Sequence, residues 1–186
     1  MRIVSGTHKG RRITPPAGLP VRPTTDMAKE SLFNILNNRI DFEETSVLDL
    51  YAGTGNISYE FASRGAREIM CVELNPKCAA YIQQTAEKLG FTGMSVIKTN
   101  VFSLLPTLRR NFSLIFADPP FDSDDALKLP DIIFEQKLLA PDGWLIIEHP
   151  KKMKFAGHPN FTEHRQYGKI NFSFFRNTGE AVEERA

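Results

Sequence analysis

The stretch VLDLYAGTG, residues 47–55, decides the fold class. It begins as a short apolar run typical of a buried β-strand and ends in Gly53 and Gly55, ahead of a helical stretch near residues 56–64. A strand that turns into a helix through glycines is typical of parallel sheets that bind ligands at their carboxyl edge, because glycine lets a ligand approach the backbone. Ser58 stands where the third glycine of the dinucleotide fingerprint belongs, which disfavours a nicotinamide oxidoreductase.

Short β-rich runs recur along the chain and alternate with helical patterns. The further strands are predicted at 69–72, 96–97, 114–117 and 145–147, and the helices near 56–64, 76–89 and 126–139. A helix capped by Thr25 or Asp26 precedes the first strand. This alternation predicts a doubly wound, mostly parallel α/β sheet. Residues 161–175 predict a hairpin that turns near Gly168 and adds an antiparallel C-terminal edge.

Charge is unevenly distributed, although the net charge is only +1. Residues 1–25 carry five Lys or Arg and no acid, residues 150–176 carry six against one acid, and the region between is acidic. Basic flanks are typical of nucleic-acid binders, and a solvated surface explains them equally well. We predict a single domain with a basic N-terminal arm over 1–25, a core over 26–176 and a flexible tail over 177–186.

Composition excludes several classes of protein. The chain of 186 residues is 41% hydrophobic and 24% charged, which suits one ordinary globular domain. It has no apolar run long enough to span a bilayer and no signal peptide at its start, so we expect a cytoplasmic protein. Its two cysteines, Cys71 and Cys78, are too few for a disulfide framework, and no Cys/His spacing resembles a metal site.

Polar residues stand at the ends of the first three predicted strands, which share one edge of the sheet. Asp49 interrupts an apolar strand, so its carboxylate needs hydrogen-bond donors or a polar ligand. Glu73 ends the next strand, where an acid can accept hydrogen bonds from two ribose hydroxyls. Asn100 is placed to recognise the amine of adenine, while Val101 or Phe102 packs on the ring. Together they predict a nucleoside pocket, although each alone is also explained as a strand end or turn.

The stretch ADPPF, residues 117–121, ends the fourth strand at the same edge. Pro119 and Pro120 make this corner rigid, and a loop-starting turn is the structural alternative. An exocyclic amine of a base is a poor nucleophile, because its lone pair is delocalised into the ring. Asp118 and the carbonyl of Pro119 are acceptors that can bind both of its N–H groups. Phe121 offers a face on which an extruded base can stack.

Several stretches resemble methyltransferase motifs. VLDLYAGTG resembles the first motif of S-adenosylmethionine-dependent methyltransferases, and DPPF the fourth motif of those that methylate exocyclic amines. Residues 1–6, 9–11, 22–26, 31–36 and 165–168 resemble one bacterial family more closely, the RsmD-type small-subunit ribosomal RNA guanine-N2 methyltransferases. The resemblance covers nearly the whole chain and implies a Rossmann-like class I methyltransferase fold with S-adenosylmethionine as the cofactor.

The resemblance also implies a reaction and a substrate. The reaction is methylation of the exocyclic N2 amine of a guanine in small-subunit (16S) ribosomal RNA, either free or in a partly assembled small subunit. By this resemblance Thr24 and Thr25 act as lids over the cofactor, and the basic arm lies over the cofactor edge. We therefore expect basic side chains from both basic segments to contact RNA: Arg11, Arg12, Arg22, Lys151 and Lys152.

Two other functions stay open at this point. A DNA adenine-N6 or protein glutamine methyltransferase could use a similar acceptor corner, but the N-terminal resemblance favours ribosomal RNA. From another class, a catalytically inactive RNA-binding module could retain a vestigial cofactor fold. Such a module would not bind S-adenosylmethionine, which separates it from an enzyme.

Overall fold

The fold is described by a computed structural model that covers residues 1–19 and 25–179. The strands are β1 (Ser46–Leu50), β2 (Glu68–Glu73), β3 (Met94–Lys98), β4 (Phe112–Ala117), β5 (Leu139–His149), β6 (Phe161–Tyr167) and β7 (Ile170–Arg176). The helices are α1 (Asp26–Leu36), α2 (Asn56–Ser63), α3 (Pro76–Leu89), α4 (Val101–Leu104) and α5 (Asp125–Glu135), with a 3-10 turn at Leu105–Thr107.

The described strands form one mixed sheet. Their order is β3-β2-β1-β4-β5-β7-β6, in which β1 to β5 run parallel and the hairpin of β6 and β7 joins antiparallel to β5. The predicted doubly wound sheet with an antiparallel C-terminal hairpin is confirmed. All five residues of β1 are buried, because β1 lies in the middle of the sheet with helices on both faces.

Each face of the sheet carries its own apolar cluster. The first cluster joins the sheet to α1, α2 and α3 through residues such as Leu32, Phe61 and Ile82. The second joins it to α4 and α5 through residues such as Val101 and Leu129. Burial of these faces supplies the main driving force for the fold, and the loops at the carboxyl ends of the strands are left to form the site.

The fifth helix is shorter than predicted, because the chain turns at Lys137. The spacing predicted a helix near 126–139, whereas α5 ends at Glu135 and β5 begins at Leu139. Lys137 has a φ of 53°, in the left-handed region that a right-handed helix does not contain. Leu138 and Leu139 fit the helical spacing, but they are buried in the turn and strand that follow α5 and not in the helix.

The described part of the basic arm is a packed loop. Arg2 and Arg12 form an antiparallel backbone bridge, which closes residues 1–13 on themselves. The backbone N–H groups of Val4 and Ser5 donate to the buried carboxylate of Glu60 in α2, at 2.8 and 3.0 Å. This loop is therefore fixed to the helix that follows the glycine turn.

The chain beyond β7 stays in contact with the sheet where it is described. Asn177 belongs to the predicted tail. Its side-chain amide donates to the carbonyls of Leu139 and Ala140 at 3.0 and 3.1 Å. The rest of the predicted tail, 180–186, lies outside the described residues. In the part of the chain that the structure describes, no helix is long and apolar enough to cross a membrane.

Candidate active site

A cavity of about 1270 Å³ opens at the carboxyl ends of the central strands. It lies where the strand order reverses between β1 and β4, the place where open α/β sheets bind ligands. Of the residues predicted for the site, the following line it: Thr25, Asp49, Gly53, Glu73, Asn100, Val101, Asp118, Pro119, Phe121 and Lys151. The structure thus brings the nucleoside edge and the acceptor corner into one cavity.

Asp49 places a buried carboxylate against this cavity. The residue is 2% exposed, and the hydroxyl of Ser58 donates a hydrogen bond of 2.5 Å to its Oδ2. Burial raises the pKa of Asp49 to about 7; Ser58 opposes the rise and the charge of Glu73 adds to it. Ser58, the residue that departs from the dinucleotide fingerprint, therefore supplies a hydrogen bond to Asp49. A cationic ligand beside Asp49 would stabilise the ionised form that burial disfavours.

Both carboxylate oxygens of Glu73 accept backbone hydrogen bonds. The N–H of Gly53 donates to Oε2 at 2.8 Å, and the N–H of Asn75 donates to Oε1 at 2.7 Å. These bonds fix the carboxylate at the edge of the cavity that Glu73 lines. Each oxygen has a further lone pair, so the group can still accept from ribose hydroxyls.

The second glycine of the turn has a packing role. Gly55 has a φ of 82°, and a Cβ added to it would lie 2.7 Å from the ring of Tyr59. Unlike Gly53, it is not among the described residues that line the cavity. Glycine is needed at this position because α2 starts in a left-handed conformation and because the Tyr59 ring leaves no room for a Cβ.

Asn100 serves as the cap of a short helix that the sequence did not predict. Its Oδ1 accepts the backbone N–H groups of Phe102 and Ser103 at 2.9 and 3.3 Å, which starts α4. An adenine amine would have to bind this same oxygen, so the adenine contact of Asn100 stays a prediction. Val101 is buried beside it and gives the cavity an apolar wall.

The acceptor corner is held in place before any substrate arrives. The N–H of Asp118 donates to the carbonyl of Leu50 at 3.3 Å, which joins the end of β4 to β1. Pro119 is buried, whereas the ring of Phe121 is 43% exposed. A rigid pair of acceptors therefore stands beside an accessible aromatic face.

A second carboxylate, Glu148, stands next to Asp118 and was missed by the sequence reasoning. Ala117 in β4 pairs with Ile147 in β5, and Asp118 and Glu148 are the residues that directly follow them. The two acids therefore lie side by side at the ends of neighbouring parallel strands. Burial, Glu148 and Asp49, in that order, raise the pKa of Asp118 well above its usual range. An acid at the end of the fifth strand was the available signal. Further lining residues that the sequence did not indicate are Tyr51, Leu74, Asp125, Lys169 and Ile170.

The predicted RNA contacts are spread over two surfaces. Arg11 and Arg12 are exposed on the N-terminal loop and do not belong to the described lining of the cavity. Lys151 lines the cavity, and Lys152 is exposed beside it. The structure therefore places the second basic segment nearer to the acceptor corner than the described part of the first.

Two predicted site residues, Arg22 and Thr24, lie outside the described residues. Thr25 is described and lines the cavity. Its hydroxyl also accepts the backbone N–H of Ala28 at 3.3 Å, which starts α1. Thr25 rather than Asp26 is thus the helix cap.

Comparison with known proteins assigns the chain to a family. The model described as "Conserved hypothetical protein 95" matches residues 1–176. The chain belongs to this family. It is 30% identical over 148 residues to "Ribosomal RNA small subunit methyltransferase D" of Escherichia coli (strain K12), which covers 80% of this chain and 71% of that protein.

Solved structures bear out the fold of this RsmD-type family member. "Putative methyltransferase yhhF from Escherichia coli" has a TM-score of 0.85 at 23% identity, over 97% of this chain and 99% of that chain. An RNA methyltransferase from Salinibacter ruber, in complex with S-adenosyl-L-homocysteine, has a TM-score of 0.68 at 16% identity, over 88% and 98%. The predicted Rossmann-like class I fold and the predicted RsmD-type membership are confirmed.

Proposed function

We propose that this protein is an S-adenosylmethionine-dependent methyltransferase that methylates the exocyclic N2 amine of a guanine in small-subunit ribosomal RNA. The observation that carries the proposal is the rigid acceptor pair of Asp118 and Pro119 in the same cavity as Asp49 and Glu73. The name of the Escherichia coli relative supports both methyl transfer and the rRNA substrate.

The cavity residues suit this cofactor. S-adenosylmethionine carries a net positive charge and a ribose with two hydroxyls. Asp49, whose pKa is raised to about 7, supplies a carboxylate whose ionised form a cation favours. Glu73 supplies fixed acceptors for the hydroxyls, and Gly53 lets the ligand approach the turn. Val101 packs against the adenine ring, and Thr25 closes the cavity at the start of α1.

The chain's own residues then prepare the nitrogen for attack. Bound S-adenosylmethionine would supply a methyl group on a sulfonium: as the new C–N bond forms, the C–S bond would break with a neutral thioether as the leaving group, and the nitrogen would then release one N–H proton. Asp118 and the carbonyl of Pro119 accept the two N–H groups of the amine and favour a pyramidal nitrogen. Because both acceptors are held before the substrate arrives, little reorganisation is needed in the transition state. Phe121 stacks on the extruded base and keeps it in plane with these acceptors.

The RNA reaches the corner past basic side chains. Lys151 and Lys152 follow β5 beside the cavity, and Arg11 and Arg12 lie on the packed N-terminal loop. Phosphate contacts from these groups supply affinity that is independent of sequence. We propose that the substrate is free small-subunit rRNA or an assembly intermediate of the subunit, in the cytoplasm where ribosomes are built.

Mass spectrometry of the rRNA nucleosides tests this function. Small-subunit rRNA from cells with and without the protein is digested and compared. We expect one N2-methylguanosine to be lost in the cells without the protein and to return when the wild-type chain is expressed. A change in a methylated adenosine, or in methylated glutamine of a protein with unchanged rRNA, would overturn the proposed substrate.

A further inference from the structure

Two carboxylates stand side by side at the floor of the acceptor corner. Asp118 directly follows Ala117, and Glu148 directly follows Ile147, and these two preceding residues are paired between β4 and β5. Glu148 is only 3% exposed and yet lines the cavity. Glu148 therefore belongs to the cavity wall and is not an exposed surface acid.

Both side chains point to the same face of the sheet. Phe116 and Ile146 are paired one residue before Ala117 and Ile147, and both belong to the cluster that packs on α1 and α2. Side chains alternate along a strand, so Asp118 follows Phe116 onto this face. Glu148 follows Ile146 in the same way. Its charge contributes to raising the pKa of Asp118, which agrees with their proximity.

A second carboxylate beside the amine acceptor can accept one more N–H group from a bound base, since each carboxylate has about four lone-pair sites. Guanine provides such a group on one edge, because its N2 amine has two N–H groups and the adjacent N1 has a third. Adenine has two N–H groups on its amine and a lone pair at N1. A carboxylate that faces N1 is thus stabilised by guanine and repelled by adenine.

We propose that Glu148 accepts the N1–H of the target guanine, beside the N2 amine on Asp118, and thereby selects guanine over adenine. This inference rests on the proposed function, since it assigns the base that the acceptor corner receives. Asp118 and Pro119 bind the amine of either base, so they do not discriminate on their own. Glu148 supplies the discrimination.

The far side of the same edge fits guanine as well. The O6 atom lies next to N1 and away from N2, so it needs a donor beyond Glu148. The strand on the side of β5 opposite β4 is β7, and Lys169 directly precedes β7 and lines the cavity. The order Asp118, Glu148, Lys169 along the edge therefore gives acceptor, acceptor, donor, which complements the N2, N1 and O6 atoms of guanine.

An analogue of guanine tests the role of Glu148. The probe is an RNA fragment that carries the guanine mapped by mass spectrometry, or 2-aminopurine in its place. 2-Aminopurine keeps the N2 amine but has a lone pair at N1 and a hydrogen in place of O6, and the loss of O6 affects wild type and the Glu148 variants alike. Single-turnover methylation rates and fragment dissociation constants are measured for both probes with wild type, Glu148→Gln, Glu148→Asp and Glu87→Gln. Glu87 is an exposed carboxylate on α3 and serves as the matched control.

We expect wild type and Glu87→Gln to prefer guanine by about 100-fold or more, since sites built for a hydrogen bond reject analogues that lack it. Glu148→Gln should reduce this preference about tenfold or more relative to wild type, because its amide can donate to N1 of 2-aminopurine while the contribution of O6 stays the same. Glu148→Asp keeps the carboxylate and should keep the preference, at a lower rate.

The preference is a ratio within one folded protein, so it is independent of any general loss of stability. If Glu148→Gln weakens both probes by the same factor and the ratio stays at the wild-type value, Glu148 has only a structural role and the inference is overturned. If wild type forms no N2-methylguanine either in the fragment or in small subunits isolated from cells without the protein, the proposed function is overturned instead. The two failures are therefore distinct.

Discussion

The backbone N–H of Gly53 donates a hydrogen bond of 2.8 Å to Oε2 of Glu73, which ties the glycine turn after β1 to the end of β2. This one contact connects two of the three strand ends from which the nucleoside pocket was predicted. It also means that Glu73 shapes the turn as well as facing the cavity.

Removal of the Glu73 carboxylate should weaken cofactor binding. Glu73→Ala loses the acceptors for the ribose hydroxyls and leaves the N–H groups of Gly53 and Asn75 without their partner. We expect the affinity for S-adenosylmethionine to fall by about 1.5–3 kcal/mol, the range for hydrogen bonds to charged groups. Isothermal titration calorimetry measures this, with Glu87→Ala as the control. Unchanged affinity in a folded Glu73→Ala protein would refute the assignment.

The affinity for the cofactor should rise with pH. Burial raises the pKa of Asp49 to about 7, so at about pH 5.5 a cation must displace a proton from this carboxyl, and at about pH 7.5 the carboxylate is largely ionised. S-adenosylmethionine should therefore bind more tightly as pH rises through about 7. S-adenosylhomocysteine lacks the sulfonium charge and should show a weaker dependence. Asp49→Asn should flatten the S-adenosylmethionine curve; a curve as steep as that of wild type would exclude Asp49 as the titrating group.

Lys29 should be important for stability, because it is 1% exposed and joins three parts of the chain. Its Nζ donates to the carbonyl of Arg2 at 2.6 Å and to Oδ1 of Asn56 at 2.8 Å, and lies 3.7 Å from Glu60. Lys29→Ala should lower the free energy of unfolding by about 3–5 kcal/mol, as expected when one partner of a buried ion pair is removed.

Urea denaturation measures the effect of Lys29→Ala, with the exposed Lys88→Ala on α3 as the control. The control should change the free energy by less than about 0.5 kcal/mol. Equal midpoints for the two variants would show that the buried network contributes nothing to stability.

The exposed arginines of the N-terminal loop should determine part of the salt dependence of RNA binding. Arg11 and Arg12 are both exposed, so they are available to phosphates. Replacing both with Ala should reduce the log–log slope of RNA affinity against salt by roughly one to two units. The affinity for S-adenosylmethionine should not change. A wild-type slope in filter binding with an rRNA fragment would move the phosphate contacts to Lys151 and Lys152.

The sequence predicts the local parts of this molecule well and the long-range pairings poorly. The strand and turn at residues 47–55 carry their own periodicity and glycines, so β1 and α2 were found. Glu148 was missed because its proximity to Asp118 depends on the register of β4 with β5, which shifts at an irregularity between Phe112 and Leu114. No local pattern encodes such a shift.

Other differences have the same origin. The bonds from Val4 and Ser5 to Glu60 join residues that are 56 and 55 positions apart, so the packing of the basic arm could not be read from its charge. The end of α5 depends on the left-handed conformation of Lys137, which is unusual for a lysine.

The direct test of the central claim is a single-turnover reaction with purified protein, S-adenosylmethionine that carries a deuterated methyl group, and small-subunit rRNA from cells without the protein. Mass spectrometry of the nucleosides identifies the labelled product. We predict labelled N2-methylguanosine with wild type. With Asp118→Ala the rate should fall by about 100-fold or more, at unchanged cofactor affinity. Label on another nucleoside, or a near-normal rate with Asp118→Ala, would contradict the account.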